Sequence, residues 1–143
     1  MMKIKRKILG EIISTIGTCE PETGGILGVK DGVVCEFYFD KNADCQIGEY
    51  CPNTVDVNSK LVEWAREGIS FAGIIHSHPN NLFEFSNGDK EGIFTVVKAI
   101  PNAEKLYFPI VTNSNGNFLM TVYRVIPVQD DISIMQTDYE ILD

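Results

Sequence analysis

The chain has 143 residues, of which 44% are hydrophobic and 22% charged, and a formal net charge of −8. This composition is that of an ordinary globular protein, and the length predicts one domain over residues 1–143 with a sizeable core. The acidic balance argues against a nucleic-acid partner, because nucleic-acid-binding proteins usually carry a basic surface. With no long apolar stretch and no secretion signal, we expect no membrane partner and a cytoplasmic location.

The four cysteines predict reduced thiols. No two of them have the Cys-x-x-Cys spacing of a zinc ribbon or a thioredoxin-type pair. The chain is also longer than the usual disulfide-stapled scaffold. A disulfide or a small structural metal site that involves Cys45 and Cys51 is the alternative. The cysteines are Cys19, Cys35, Cys45 and Cys51.

The first forty residues predict a helix followed by a β-hairpin. Apolar residues recur at helical spacing and indicate a helix from about Lys5 to Ile16. After a turn-rich segment, apolar runs at Gly25–Val29 and Val33–Phe39 flank Asp31-Gly32, a dipeptide typical of tight hairpin turns. The helical stripe comprises Ile4, Ile8, Leu9, Ile12, Ile13 and Ile16.

The middle of the chain predicts a second helix and a central strand. Residues 40–54 are polar and indicate a loop, and Asn58-Ser59 offers an N-cap for a helix that ends at Gly68. We expect the single tryptophan, Trp64, to pack against the sheet. An apolar run at Ser70–His76 then predicts a buried strand. The apolar face of the helix is Leu61, Val62, Trp64 and Ala65.

The last part of the chain predicts a third helix and further strands. The helix begins near Ser86 and ends at Pro101, and strand-like runs follow at Lys105–Thr112 and Asn117–Ile126. The run Ile132–Leu142 is either another strand or a docking tail. Helices and strands in this order, with at least one hairpin, predict a mixed α/β fold in which helices flank a central mixed sheet.

The only two histidines of the chain end the central strand, one residue apart. Residues two apart on a strand point to the same face, so His76 and His78 can aim both imidazoles at one point. Asp89 follows His78 by eleven residues in the sequence. Two imidazoles and a carboxylate suit zinc, with one tetrahedral position left for water. An isolated His-x-His pair is also compatible with hydrogen-bonded surface groups, so the pair alone does not establish a metal site.

Three neighbouring features each have a structural explanation of their own. Ser86 followed by Asp89 resembles a capping box at a helix start. Glu22 precedes a strand and two glycines, which allow close backbone approach, and on its own it predicts an exposed loop carboxylate. Phe83 and Phe85 are compatible either with the core or with the wall of a groove.

In combination, these residues resemble the signature of the JAMM (JAB1/MPN/Mov34) metalloproteases. His76-Ser77-His78, then Ser86 and Asp89 at this spacing, match the metal-binding motif, and the segment from Glu22 to Gly28 matches the glutamate element of the family. The resemblance covers about Ile4 to Ile126 and is closest to compact prokaryotic members. It implies a cytidine-deaminase-like three-layer fold. No catalytic position departs from the motif, which favours an active enzyme.

The resemblance implies a role for each residue of the motif. His76, His78 and Asp89 would bind zinc, Glu22 would be the general base, and Ser86 would help to hold the oxyanion. These roles agree with the chemistry of amide hydrolysis, because zinc lowers the pKa of its bound water to about 7 and polarises the carbonyl. A nearby carboxylate that is not a ligand can take the proton, and a hydroxyl can donate to the developing negative charge.

The resemblance also implies a class of substrate. The expected partner is a ubiquitin-like or sulfur-carrier protein, cleaved at a peptide or isopeptide bond next to its C-terminus, with the tail extended along a sheet edge. A zinc hydrolase of small peptide or amino-acid adducts is the first alternative. A non-catalytic binding module of the same fold is the second, and the unaltered catalytic residues argue against it.

Overall fold

The computed structural model describes residues 1–18, 22–43, 50–79, 82–100, 103 and 105–143, and within them lie nine strands and three helices. The strands are β1 (Met2–Lys5), β2 (Gly24–Lys30), β3 (Val33–Phe39), β4 (Ser70–Ser77), β5 (Leu106–Tyr107), β6 (Ile110–Ser114), β7 (Asn117–Val128), β8 (Asp131–Thr137) and β9 (Tyr139–Leu142). The helices are α1 (Arg6–Ser14), α2 (Thr54–Arg66) and α3 (Asn87–Ala99).

The strands form a mixed sheet in the order β5-β7-β6-β4-β2-β3-β1-β9, in which β8 also pairs with β7 and β5 also pairs with β4. β4 lies in the middle of the sheet, antiparallel to β2 and parallel to β6. Apolar residues of α1 pack in one core cluster, whereas those of α2 and α3 pack in two others. The predicted mixed α/β fold, with a central sheet flanked by helices, is confirmed.

The two faces of β4 belong to different cores. Ile75 packs in the cluster that contains the apolar residues of α1. Ile74 packs against the clusters built around α2 and α3. Because side chains alternate along a strand, His76 and His78 follow Ile74 toward the face that carries α2 and α3.

A β-bulge in β4 sets which face the histidines occupy. The pairing register between β2 and β4 shifts at this point, and Ala72 and Ile75, three residues apart, share one core cluster. Gly73 has a φ of 137°, and a Cβ at this position would collide with the backbone carbonyl of Tyr107. Glycine is therefore required here, since a side chain would push β5 away or abolish the bulge.

The structure has a strand before the first helix that the sequence did not predict. A strand, β1, occupies Met2–Lys5, and α1 begins at Arg6. β1 pairs in parallel with both β3 and β9. Its residues alternate between buried and exposed, but four residues are too few for this period to be distinguished from the helical pattern that follows. Ile13, expected in the buried stripe, is 39% exposed.

The second helix begins earlier than the sequence predicted. α2 starts at Thr54, inside the predicted loop, because the side chain of Asn53 accepts a hydrogen bond from the backbone N–H of Asp56 at 3.1 Å and caps the helix. The predicted N-cap at Asn58-Ser59 is therefore wrong. Trp64 is buried in the core with β2, as expected, whereas Val62 is 55% exposed.

The C-terminal part contains more strands than expected. The predicted strand Lys105–Thr112 is divided into β5 and β6 around Pro109, which lacks the N–H that a continuous ladder requires. The run Ile132–Leu142 lies in two strands, β8 and β9, so the strand alternative is confirmed.

Burial and a neighbouring carboxylate raise the pKa of the Cys35 thiol, which is not in a disulfide. Cys19 and Cys45 lie outside the described residues, and with them the possible pairing of Cys45 with Cys51. Within the described part of the chain, no helix combines the length and the apolar character needed to cross a bilayer.

Candidate metal centre

The two imidazoles converge at the end of β4. The Nε2 atoms of His76 and His78 lie 2.8 Å apart, and both side chains are buried. The Nδ1 atom of His78 lies 2.9 Å from the backbone carbonyl oxygen of Leu82. A carbonyl can only accept, so the Nδ1–H of His78 donates to it. Nε2, which faces the centre, can then donate to Asp89 when the imidazole is charged and offers a lone pair to a metal when it is neutral.

Asp89, in the first turn of α3, supplies the carboxylate. Its Oδ2 atom lies 3.1 Å from Nε2 of His78 and 3.6 Å from Nε2 of His76. Burial disfavours its ionised form, but hydrogen bonds from His76, His78 and the backbone of Ser86, with the charge of His76, outweigh this effect and hold the pKa of Asp89 well below its usual range. The carboxylate is therefore ionised and ready to bind a cation.

Ser86 and Asp89 form a capping box and, at the same time, belong to the centre. The backbone N–H of Ser86 donates to Oδ2 of Asp89 at 3.0 Å, and the Ser86 hydroxyl accepts from the backbone N–H of Asp89 at 3.1 Å. The same carboxylate oxygen that faces the imidazoles is thus oriented by the helix terminus. The capping interpretation of Asp89 is therefore compatible with its predicted role as a metal ligand.

Glu22 is brought to the centre by pairing between β2 and β4. Gly24 lies opposite His76 in the register, and the ladder continues through the N–H of Ser77, which donates to the carbonyl of Thr23 at 2.8 Å. The Ser77 hydroxyl also accepts from the Thr23 N–H at 3.0 Å. Continuing that register places Glu22 opposite His78.

The Glu22 carboxylate is buried, with a relative exposure of 7%, and its Oε2 atom has no hydrogen-bond partner among the described residues. Burial raises the pKa of Glu22, an effect that His78 and His76 oppose and Asp89 reinforces. A backbone hydrogen bond from Tyr50 also lowers this pKa. The prediction of an exposed loop carboxylate, drawn from Glu22 in isolation, is wrong.

The four side chains fit a divalent cation. Ligand atoms of Glu22, His76, His78 and Asp89 all lie within 4.8 Å of one another. Two imidazole nitrogens and carboxylate oxygens are donors that zinc accepts. Without a cation, a proton must lie between the two Nε2 atoms, because two facing lone pairs would repel each other at 2.8 Å. A bound cation would replace that proton. It would also attract Oε2 of Glu22, which has no partner among the described residues and whose burial is otherwise costly.

A buried carboxylate that the sequence did not single out supports one wall of the centre. Asp40 directly follows β3, and its Oδ2 atom accepts from the hydroxyl of Tyr50 at 2.8 Å. The Tyr50 ring stacks on His76 with 6.4 Å between centroids and 16° between planes. Tyr50 therefore connects Asp40 to both His76 and Glu22. The signal in the sequence was weak, because one Asp and one Tyr in a polar stretch have no distinguishing spacing.

The two phenylalanines before Ser86 have different surroundings. Phe85 is partly buried, stacks on His76 at 6.3 Å between centroids, and packs against Tyr123 at 4.7 Å. Phe83 is exposed and lines a separate surface cavity beside β7. Phe85 thus packs on the imidazole of His76, whereas Phe83 borders a groove.

A cavity of about 360 Å³ opens beside the centre. It lies between the segment at residues 50–52 and α3, and His76 and Asp89 form part of its wall. The described residues that line it are Tyr50, Cys51, Pro52, Ile74, His76, Gly88, Asp89, Gly92, Ile93, Thr95, Val96 and Phe108. A molecule at the metal centre can therefore extend into this cavity.

Fold and centre together define a class: an α/β protein with a buried cluster of two imidazoles and two carboxylates at the end of its central strand. A family model, described as prokaryotic homologs of the JAB domain, matches residues 14–128, and the chain belongs to this family. The match includes every residue of the cluster. The predicted membership of a compact prokaryotic JAB-type group is confirmed.

One solved structure with the same fold is the solution structure of protein DSY2949 from Desulfitobacterium hafniense. It has a TM-score of 0.74 to this chain at 17% sequence identity, and the alignment covers 100% of this chain and 94% of that one. At this identity the similarity shows the fold alone. No curated protein matches the chain.

Replacing Ser86 tests whether its hydroxyl does more than cap α3. Ser86→Ala is expected to retain metal and to lower turnover about 10²–10³-fold, the usual loss when one oxyanion donor is removed. Loss of the cap should also cost about 0.5–2 kcal/mol of unfolding free energy. Steady-state rates and urea unfolding measure the two effects.

The matched control for Ser86→Ala is Asn53→Ala, which removes the N-cap of α2. It should lower stability by a similar amount and leave turnover unchanged. Equal losses of rate in the two variants, or an unchanged rate in Ser86→Ala, would reduce Ser86 to a helix cap.

Proposed function

We propose that this protein is a zinc-dependent metallo(iso)peptidase of the JAMM type. Its proposed substrate is a peptide or isopeptide bond next to the C-terminus of a ubiquitin-like or sulfur-carrier protein. The observation that carries the proposal is the position of Glu22, a buried carboxylate with one oxygen that has no partner among the described residues, beside two converging imidazoles and an ionised Asp89. Family membership supports the same reaction class.

His76, His78 and Asp89 would hold the metal. When bound, zinc supplies a Lewis acid that polarises an amide carbonyl and lowers the pKa of water to about 7. The hydrogen bond from His78 Nδ1 to the Leu82 carbonyl fixes the imidazole in the tautomer that binds metal. The Ser86 N–H donates to Oδ2 of Asp89 and so fixes the orientation of that carboxylate.

Glu22 is the proposed general base and acid. A carboxyl group with an elevated pKa takes a proton from water more readily than an ordinary one and returns it to a leaving amine. Burial elevates the pKa of Glu22 in this site. Its Oε2 atom, which has no partner within the described part of the chain, would make the catalytic hydrogen bond, while a backbone hydrogen bond from Tyr50 orients the carboxylate.

A hydrolase of small peptide or amino-acid adducts is the second candidate. The cavity beside the centre favours it, because a volume of about 360 Å³ is that of a small-molecule site. Both candidates use the same residues for the same chemistry. They differ in whether recognition of a folded carrier protein is needed.

The experiment compares zinc-loaded and metal-stripped protein on two substrates, a ubiquitin-like carrier with a C-terminal amino-acid extension and a free dipeptide with the same scissile bond. Zinc-dependent cleavage of the carrier, well above that of the dipeptide in kcat/KM, is expected. Faster cleavage of the dipeptide would favour the adduct hydrolase. Absence of cleavage of either substrate by stoichiometrically loaded protein would contradict both.

A further inference from the structure

The cavity beside the metal centre has an apolar wall. Ile74 of β4, Ile93 and Val96 of α3, and Phe108, which follows β5, contribute to it. Among the described lining residues, Asp89 is the one with a carboxylate, and none is a lysine or an arginine. One oxygen of this carboxylate, Oδ2, is already engaged by His78 and by the Ser86 N–H. An ionised ligand group would lose its hydration here without gaining a partner, so the wall favours an uncharged occupant.

Two glycines of α3 keep the cavity open. Gly88 and Gly92 are four residues apart and therefore lie on one face of the helix, the face that lines the cavity. A Cβ at Gly92 would meet no atom within 4 Å, and one at Gly88 would meet only the Ser86 hydroxyl, at 3.8 Å. Packing thus does not demand glycine at Gly92, although glycine inside a helix costs about 0.5–1 kcal/mol relative to alanine. The space is preserved at the expense of helix stability.

We propose that this cavity is a specificity pocket for an uncharged apolar side chain, of about leucine to phenylalanine size, on a residue that flanks the scissile amide. The inference rests on the proposed function and narrows its substrate class. His76 and Asp89 line both the pocket and the metal centre, so a side chain in the pocket is attached close to the reacting bond. A substrate with glycine on both sides of that bond leaves the pocket empty.

The first test is a rate comparison on substrates that differ only at the flanking residue, with Leu, Gly, Glu or Lys. The zinc-loaded wild type is expected to prefer Leu over Gly by about 10-fold or more in kcat/KM, as is usual when an apolar group fills an apolar pocket. Glu and Lys should be no better than Gly. Equal rates for Leu and Gly, or a preference for a charged residue, would overturn the proposal.

Gly92→Leu fills the pocket and supplies the structural arm of the test. It should abolish the preference for Leu over Gly, with Gly92→Ala intermediate. The matched control is Gly10→Leu on α1, where a Cβ also meets no atom within 4 Å, and which should keep the preference. A preference that survives in Gly92→Leu would overturn the assignment of this cavity.

A binding measurement separates failure of the pocket from failure of the proposed function. N-acetyl-leucine amide and N-acetyl-glycine amide are titrated into the protein, with methyl NMR signals of Ile74, Ile93 and Val96 as the readout. The leucine compound should shift these signals in the wild type and in Gly10→Leu but not in Gly92→Leu. Such shifts without any turnover would support the pocket and reject the peptidase, whereas their absence would reject the pocket.

Discussion

Glu22→Gln is expected to lower turnover about 10²–10⁴-fold while zinc remains bound in full. The amide keeps the size of the side chain but can neither take a proton from water nor return one to a leaving amine. Zinc should be retained because His76, His78 and Asp89, the proposed ligands, are unchanged. Steady-state kinetics on a carrier fusion and elemental analysis of the same preparation measure both quantities.

The matched control for this variant is Glu36→Gln, the same chemical change on β3, away from the cluster. It should leave both rate and zinc content at wild-type values. Loss of zinc from Glu22→Gln would make Glu22 a ligand instead of a base. A wild-type rate in Glu22→Gln would show that Glu22 is not the general base, and the proposed function would lose its main support.

The same substitution should stabilise the metal-free protein as the pH rises. Burial raises the pKa of Glu22 above its ordinary value of 4.5, so ionisation of this group costs folding free energy. In the wild type, the stability that comes from protonated Glu22 is complete below the ordinary pKa and is lost as the pH rises through the raised one. Glutamine does not ionise and avoids this loss. Thermal unfolding with a chelator should therefore show a higher Tm for Glu22→Gln at neutral pH and a difference that vanishes in acid.

Much of the fold and the cluster followed from the sequence because the relevant patterns are local and strict. Alternation along a strand places His76 and His78 on one face whatever the surrounding fold, and Asp31-Gly32 adopts positive φ at both residues of its hairpin turn. The helix cap fixes Asp89 relative to Ser86 through a three-residue spacing. Each of these features depends on a few consecutive residues.

What the sequence did not predict depends on long-range contacts. Glu22 is buried because β2 pairs with β4, about fifty residues later in the chain. The residues next to Glu22 in the sequence predict an exposed turn. The strand at Met2–Lys5 exists because β3 and β9 flank it. Asp40 supports the centre through its hydrogen bond with Tyr50, and no regular sequence pattern relates these two residues. Local sequence propensity cannot reveal contacts between residues that are far apart in the chain, because these contacts form only through tertiary packing.

Asp89→Asn and Asp89→Ala should separate the two tasks of one carboxylate oxygen. Asparagine retains an oxygen that accepts the Ser86 N–H, so α3 keeps its cap, but it loses the charge that a cation requires. We expect Asp89→Asn to lose zinc and turnover, and also to lower the unfolding free energy of the metal-free protein at neutral pH, because the contacts that hold the pKa of Asp89 low stabilise its ionised form. Asp89→Ala should lose zinc to the same extent and be less stable than Asp89→Asn, because it also removes the acceptor of the Ser86 N–H, one half of the capping box. Elemental analysis and urea unfolding under a chelator give the two readouts.

His78→Ala completes this comparison, because it removes a ligand and no cap. It should lose zinc as Asp89→Asn does, because only one imidazole and one carboxylate of the three proposed ligands remain. Asn53→Ala, which removes a cap and no proposed ligand, should show the opposite result: lower stability with full zinc content. Full zinc content in both His78→Ala and Asp89→Asn would mean that the metal lies elsewhere, and the cluster at the end of β4 would then be a hydrogen-bonded network instead of a catalytic centre.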